Sequence, residues 1–136
     1  MELQIVSFEQ AKLLKDLGFD WRVNSLYVLN NSSKEIILQK DRVFNQWNIN
    51  CSIENTINTL YSAPTVPLAL KWCRDVKEVF CWITRENHYC YEGGYSIHTE
   101  DYLSNTKCSD SYEEAEIALL DEILEILLKE KNENSE

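Results

Sequence analysis

Glycine and proline are scarce in this chain, whose 136 residues include three glycines and two prolines. So few of these residues exclude a low-complexity or linker-like sequence. Long apolar runs are missing too, since no stretch approaches the roughly 18 residues that mark a transmembrane helix. The first segment, MELQIVSFEQ, carries an acid at position 2 and no apolar run, so we expect no secretory signal peptide. We therefore predict a cytoplasmic protein without a membrane partner.

Length and composition fit one globular domain, which we place over residues 1–130, with residues 131–136 as a frayed C-terminal tail. Hydrophobic residues make up 44% and charged residues 26% of the chain, as in ordinary globular proteins. A domain of this size can bury roughly two-thirds of the surface of its unfolded chain, so it needs no metal or disulfide for stability.

The net charge of −10 is concentrated near the C-terminus. Residues 109–136 hold ten acids and two lysines, whereas residues 1–108 hold 13 acids and 11 bases. A negative field of this kind repels the backbones of nucleic acids and anionic lipid surfaces. We therefore expect no nucleic-acid partner. The acidic segment either forms a solvated helix face or docks on a basic partner.

Cysteine and histidine occur without the spacings that mark a chemical site. Neither C-x-x-C nor H-x-x-x-H is present, so His88, Cys90 and His98 predict no metal site. No local pattern activates a thiol, and we expect neither a catalytic residue nor a cofactor. The odd count of five cysteines predicts reduced, structurally passive thiols. We expect three in the core and two exposed, which are Cys73, Cys81 and Cys90, and then Cys51 and Cys108.

Two segments in the first half of the chain carry the start and stop signals of helices. In SFEQAKLLKDLGF, Ser7 and Gln10 predict a capping box, and Gly18 is placed to end the helix. In YSAPTVPLALKWCRDVK, either Ser62 or Thr65 is expected to be the N-cap.

A third helix is predicted over SYEEAEIALLDEILEILLKEK, where Ser111 and Glu114 form a second capping box. Its apolar residues cover more than one helical stripe. This surplus predicts either a helix wedged between two layers or a helix that meets another molecule. The residues concerned are Leu119, Leu120, Ile123, Leu124, Ile126, Leu127 and Leu128.

Two β-hairpins are expected between these helices. The runs 26–29 and 35–39 flank the turn-forming sequence NNSS, and the runs 79–83 and 88–92 flank TRENH. Residues 41–60 are rich in asparagine and predict a long irregular connection. The order helix, hairpin, helix, hairpin, helix favours an α+β fold with two layers, in which three helices cover one face of a four-stranded antiparallel sheet.

The second hairpin is apolar or aromatic on both faces, although helices can cover only one of them. If Arg85 and Glu86 form the turn, four aromatic side chains share a face, whereas a longer loop would shift this register. These side chains form either a core layer under the helices or an interaction surface, where Trp and Tyr are enriched. They are Phe80, Trp82, Tyr89 and Tyr91.

Three segments resemble a group of small uncharacterised proteins carried by phages and mobile elements of gut bacteria. They are SFEQAKLLKDLGFDW, YSAPTVPLALKWCRDVK and SYEEAEIALLDEILEILLK, of which the most specific is the S-A-P-T-x-x-x-A-L-K-W pattern at 62–72. The asparagine-rich connection shows no such similarity. The resemblance implies a phage or mobile-element origin and a cytosolic setting, and it implies no activity and no functional residues.

We predict a non-catalytic protein-interaction module that binds a host or phage protein, or itself as a homodimer. Its surfaces would be the aromatic hairpin face and the acidic third helix. The alternative is a small enzyme or ligand-binding protein whose pocket lies between the sheet and the 41–60 connection. The residues assigned to the interaction are Phe80, Trp82, Tyr89, Tyr91, Glu114, Asp121 and Glu125.

Overall fold

The computed structural model describes residues 4–40, 58–87, 90–97 and 104–134. These residues form two compact units, of which the first spans residues 5–64 and the second combines residues 1–4 with 65–136. The expected single domain over residues 1–130 stays a prediction. The elements are α1 (Phe8–Asp16), β1 (Leu26–Asn30), β2 (Ile36–Gln39), β3 (Asn58–Ser62), α2 (Val66–Val76), β4 (Val79–Asn87), β5 (Cys90–Ile97), β6 (Ser104–Asn105) and α3 (Tyr112–Asn134).

Three helices and antiparallel strands confirm the α+β class. The single four-stranded sheet is wrong, because the two hairpins lie in separate sheets of the described structure, with strand orders β2-β1-β3 and β4-β5-β6. β3 was predicted as part of the irregular connection and of the start of α2. It pairs instead with the edge of β1 that β2 leaves open. Strand pairing of this kind overrides the weak strand preference of asparagine.

The first unit confirms the local signals of its helix. Ser7 Oγ accepts the Gln10 amide at 3.1 Å, and Gln10 Oε1 accepts the Ser7 amide at 3.0 Å. Gly18 follows the helix in a left-handed conformation with φ of 92°, which glycine adopts without a Cβ clash. The Phe8 ring contacts those of Tyr27 and Tyr61 edge to face, at centroid distances of 5.6 and 5.2 Å. Through these contacts α1 packs against β1 and β3.

In the second unit, Thr65 is the N-cap of α2, and its hydroxyl accepts the Leu68 amide at 3.3 Å. Ser62, the other candidate for this cap, belongs to β3. Ser111 caps the N-terminus of α3 in the same way, because its Oγ accepts a hydrogen bond from the Glu114 amide at 3.2 Å. None of the helices within the described ranges is long and apolar enough to cross a membrane.

The register of the second hairpin differs from the expected one. β4 runs to Asn87, so Trp82 pairs with Gly94 and Phe80 with Ser96. The predicted partners were Tyr89 and Tyr91, five positions earlier along β5. Because an odd shift transfers one strand's side chains to the opposite face, the predicted set of four aromatic residues is divided.

α2 and α3 pack on the face of this hairpin that carries Val79, Cys81 and Tyr95, all of which are buried. Gly93 lies on the same face, beneath Leu119 of α3. On the opposite face, the Trp82 indole covers Gly94, leaving no room for a Cβ. The glycine pair therefore sits where a helix and a tryptophan approach the strand from its two sides.

We expect Gly93→Ala to lower the free energy of unfolding by about 1–3 kcal/mol, the usual cost of overpacking. The new Cβ would lie 2.9 Å from the Leu119 Cβ, which is anchored directly to a helix backbone. Urea unfolding measures the change. Thr84→Ala, at an exposed position of the same hairpin, is the matched control and should change stability by less than about 0.5 kcal/mol. Equal stabilities for the two variants would contradict the close packing at Gly93.

Two of the five cysteines are bonded to each other, so the prediction that all are reduced is wrong for Cys90 and Cys108. Their Cα atoms are 5.2 Å apart, within the span of a disulfide. Next to the bond, Tyr91 and Ser109 exchange two backbone hydrogen bonds of 2.9 Å. Cys90 is half-buried rather than core, whereas Cys108 is exposed, as predicted. Cys51 lies outside the described residues.

Candidate functional site

Phe80 and Trp82 form an aromatic patch on the outer face of the second hairpin. The Phe80 side chain is 71% exposed, the largest exposure among the described large hydrophobic residues. Its ring centroid lies 5.4 Å from that of Trp82, which is half-buried. The indole is held in place by its seat on Gly94. A rigid, partly exposed tryptophan beside an exposed phenylalanine is the composition of an interaction hot spot.

The aromatic patch lies on a strand whose second edge is open. β4 ends the sheet order β4-β5-β6, and within the described structure it pairs with β5 alone. Its first five residues, VFCWI, contain neither charge nor proline. Natural sheets usually protect an exposed edge with charged residues or proline. Because the first five residues of β4 include neither, its open edge can accept another strand.

Tyr91 does not belong to the aromatic patch. It pairs with Arg85 on the helix-covered face of the hairpin, where its ring contacts that of Tyr112 at 6.3 Å. The Arg85 guanidinium lies 5.7 Å from the Tyr91 ring centroid, close enough for a cation–π interaction. Tyr91 thus links β5 to the start of α3. Tyr89 lies outside the described residues.

The three predicted carboxylates of α3 are all exposed. Glu114, Asp121 and Glu125 are separated by seven and four residues, so they share one face of the helix. Most of the apolar residues lie on the other sides of the helix, whereas Leu128, seven residues after Asp121, shares the face of the carboxylates. The predicted surplus is largely buried within the chain. Leu119, Leu120, Ile123, Leu124 and Leu127 are buried, and Ile126 and Leu128 are half-buried.

A cavity of about 220 Å³ lies between α2, β4 and α3, and the sequence analysis did not anticipate it. Its residues come from segments far apart in the chain, so no local motif marks it. Pro67 and Ile83 are half-buried and supply its apolar surface, whereas Arg74 and Tyr112 are exposed and form a polar rim. The lining residues are Pro67, Leu70, Arg74, Trp82, Ile83, Tyr112, Glu116 and Leu119.

Arg74 and Glu116 place opposite charges in the wall of this cavity. They form no ion pair with each other among the salt bridges of the described residues. Partial burial raises the pKa of the Glu116 carboxyl, as does the nearby Glu113, whereas Arg74 lowers it. The two charges therefore interact across a gap. The Arg74 guanidinium also donates a long hydrogen bond, of 3.6 Å, to the Cys81 Sγ.

The two free cysteines of the second unit are buried, as predicted. The pKa of the Cys73 thiol is raised to about 12, mainly by burial and also by the neighbouring Cys81, against the lowering effects of Arg74 and Lys77. Burial also raises the pKa of Cys81, against the lowering effect of Arg74. Both thiols are protonated at neutral pH, and a protonated thiol is a poor nucleophile.

The expected phage or mobile-element origin and the cytoplasmic location stay predictions. The sequence matches no family model, no curated protein and no solved structure.

Proposed function

We propose that this chain is a non-catalytic protein-interaction module, and that its partner adds a strand to the open edge of β4. The observation that supports this most is the 71% exposure of Phe80, on an edge strand and in contact with Trp82. An exposed, uncharged edge of this kind is a template on which another strand can pair.

Strand addition would use both the backbone and the side chains of β4. Main-chain N–H and C=O groups on its open edge would form a hydrogen-bonded ladder with the partner, which supplies affinity for any extended segment. Selectivity would come from side chains that pack against Phe80 and Trp82. A second copy of this chain is one such partner, because two β4 edges can pair antiparallel about a two-fold axis.

The acidic face of α3 contributes to this proposal through its charge. Glu114, Asp121 and Glu125 are exposed and make the second unit attractive to a basic surface. Exposed charges of this kind raise the rate of association more than the final affinity. We therefore propose that the aromatic patch supplies the binding energy and that the carboxylates steer the approach of a basic partner.

We expect a photo-crosslinking amino acid at position 80 to give discrete adducts in living cells, because the partner must cover this side chain. The same group at position 113, an exposed site on α3 outside the predicted acidic set, is the control and should give none. An adduct of twice the chain mass would identify a second copy, and any other mass another protein. Adding Trp82→Glu should abolish the adduct at position 80.

Two results would contradict this proposal. One is the absence of any adduct at position 80 while the protein remains folded by circular dichroism. The other is an adduct that persists unchanged in the Trp82→Glu background, since contact would then be independent of the aromatic patch.

A second candidate function is supported by the cavity between α2, β4 and α3. The ligand-binding alternative was expected at the 41–60 connection, and residues 41–57 lie outside the described residues. The observed cavity lies elsewhere, and it combines apolar walls with one cation and one carboxylate. Such a composition is typical of a site for a small polar molecule with an apolar part.

A further inference from the structure

The two parts of this cavity differ sharply in polarity. Pro67 and Ile83 are half-buried and present apolar surface to the cavity, whereas Leu70 and Leu119, at 3% and 1% exposure, leave almost none. Arg74 and Tyr112 are exposed, and Glu116 is half-buried. A ligand that fits both parts must have an apolar body directed at Pro67 and Ile83 and an ionic head at the rim.

The charges at the rim restrict that head further. A purely anionic head would gain a bidentate contact with the Arg74 guanidinium and would meet repulsion from Glu116. A purely cationic head would pair with Glu116 and would meet repulsion from Arg74. A head that carries both charges satisfies each side chain, and it spans the gap across which Arg74 and Glu116 interact without forming an ion pair.

We propose that this cavity binds a free α-amino acid with an apolar side chain. The ligand carboxylate pairs with Arg74, the ammonium group pairs with Glu116, and the side chain lies against Pro67 and Ile83. The volume of about 220 Å³ lies below the roughly 300–1,000 Å³ of typical pockets for drug-sized ligands. That space suits a leucine-sized molecule whose head remains at the rim, and it is too small for a nucleotide.

The test is a titration with L-leucine, followed by NMR of the methyl groups of Leu70, Leu119 and Ile83. A ligand this small can supply only a limited free energy, so we expect saturation at millimolar concentration. Arg74→Gln and Glu116→Gln should each weaken binding by about tenfold or more, because each removes a charge-assisted hydrogen bond. Lys71→Gln changes an exposed cation on the same helix that does not line the cavity, and it should leave binding unchanged.

Two analogues separate the roles of the charges. 4-Methylpentanoate lacks the ammonium group, so it should bind the wild type more weakly than leucine does. It should bind Glu116→Gln more tightly than it binds the wild type, because the variant lacks the repelling carboxylate. Leucinamide lacks the carboxylate, so Arg74→Gln should not weaken its binding. The proposal is overturned if leucine, phenylalanine, valine and methionine all leave the methyl signals unchanged at about 10 mM, tenfold above a millimolar Kd. It is also overturned if leucine binds equally well to the wild type and to both charge variants.

Discussion

Cys108→Ser is expected to lower the free energy of unfolding by about 3 kcal/mol. The disulfide with Cys90 closes a loop across 18 positions of sequence, and removing it returns that conformational freedom to the unfolded chain. The substitution would also free the segment that leads into α3. In the wild type, the disulfide and the Tyr91–Ser109 hydrogen bonds together hold this segment beside β5. Urea unfolding without reductant measures the loss.

Reductant provides the matched control for this result. It should destabilise the wild type to the level of the variant and should leave Cys108→Ser unaffected. Thiol titration of the denatured, unreduced wild type should find three of the five cysteines reactive, since Cys90 and Cys108 are bonded. A count of five, or a variant as stable as the unreduced wild type, would contradict the disulfide.

Trp72→Ala is expected to cost about 3–5 kcal/mol, which would leave the second unit unfolded or nearly so. The Trp72 side chain is 0% exposed and is the largest of the fully buried side chains. Truncation of this side chain would leave a cavity beside α2, which the surrounding elements could fill only by moving. The Lys77 ammonium, 5.5 Å from the ring centroid, would lose its cation–π contact as well. Thermal unfolding followed by circular dichroism measures the change.

Lys71→Ala is the control for Trp72→Ala, because it alters the adjacent, exposed position of the same helix. Removing this side chain should change stability by less than about 0.5 kcal/mol, since its contact with Asp75 is a surface ion pair. If both substitutions had the same small effect, Trp72 would not be the core residue that its burial indicates.

The helices could be predicted from the sequence because their signals are local. Ser7 with Gln10, and Gly18 after the last turn, act within a few residues of each other, and the structure confirms both. The α2 cap was narrowed to two candidates by the same reasoning, and Thr65 is the one used. Short-range hydrogen bonds of this kind do not depend on the rest of the fold.

The two hairpins were predicted and are present, whereas the pairing between strands distant in sequence could not be predicted. Nothing local marks Asn58–Ser62 as the partner of β1, or Cys90 as the partner of Cys108. The register of the second hairpin was decided by the length of β4, and the alternation of apolar residues on both faces could not fix it. Phe80 and Trp82 lie two positions apart on one strand, so their shared face was predicted correctly without the register. Tyr91 lies on the partner strand, and the wrong register placed it on the wrong face.

The glycine pair in β5 imposes a rule on how this sequence can vary. Gly94 has no room for a side chain while position 82 is a tryptophan, and Gly93 has none while position 119 is a leucine. A larger residue at 94 therefore requires a smaller one at 82. At 93 the nearest atom is the Leu119 Cβ, which every residue except glycine carries, so a side chain at 93 requires glycine at 119. In any set of related sequences, the residues at 82 and 94 should therefore covary in size, and a residue other than glycine at 93 should occur only together with glycine at 119.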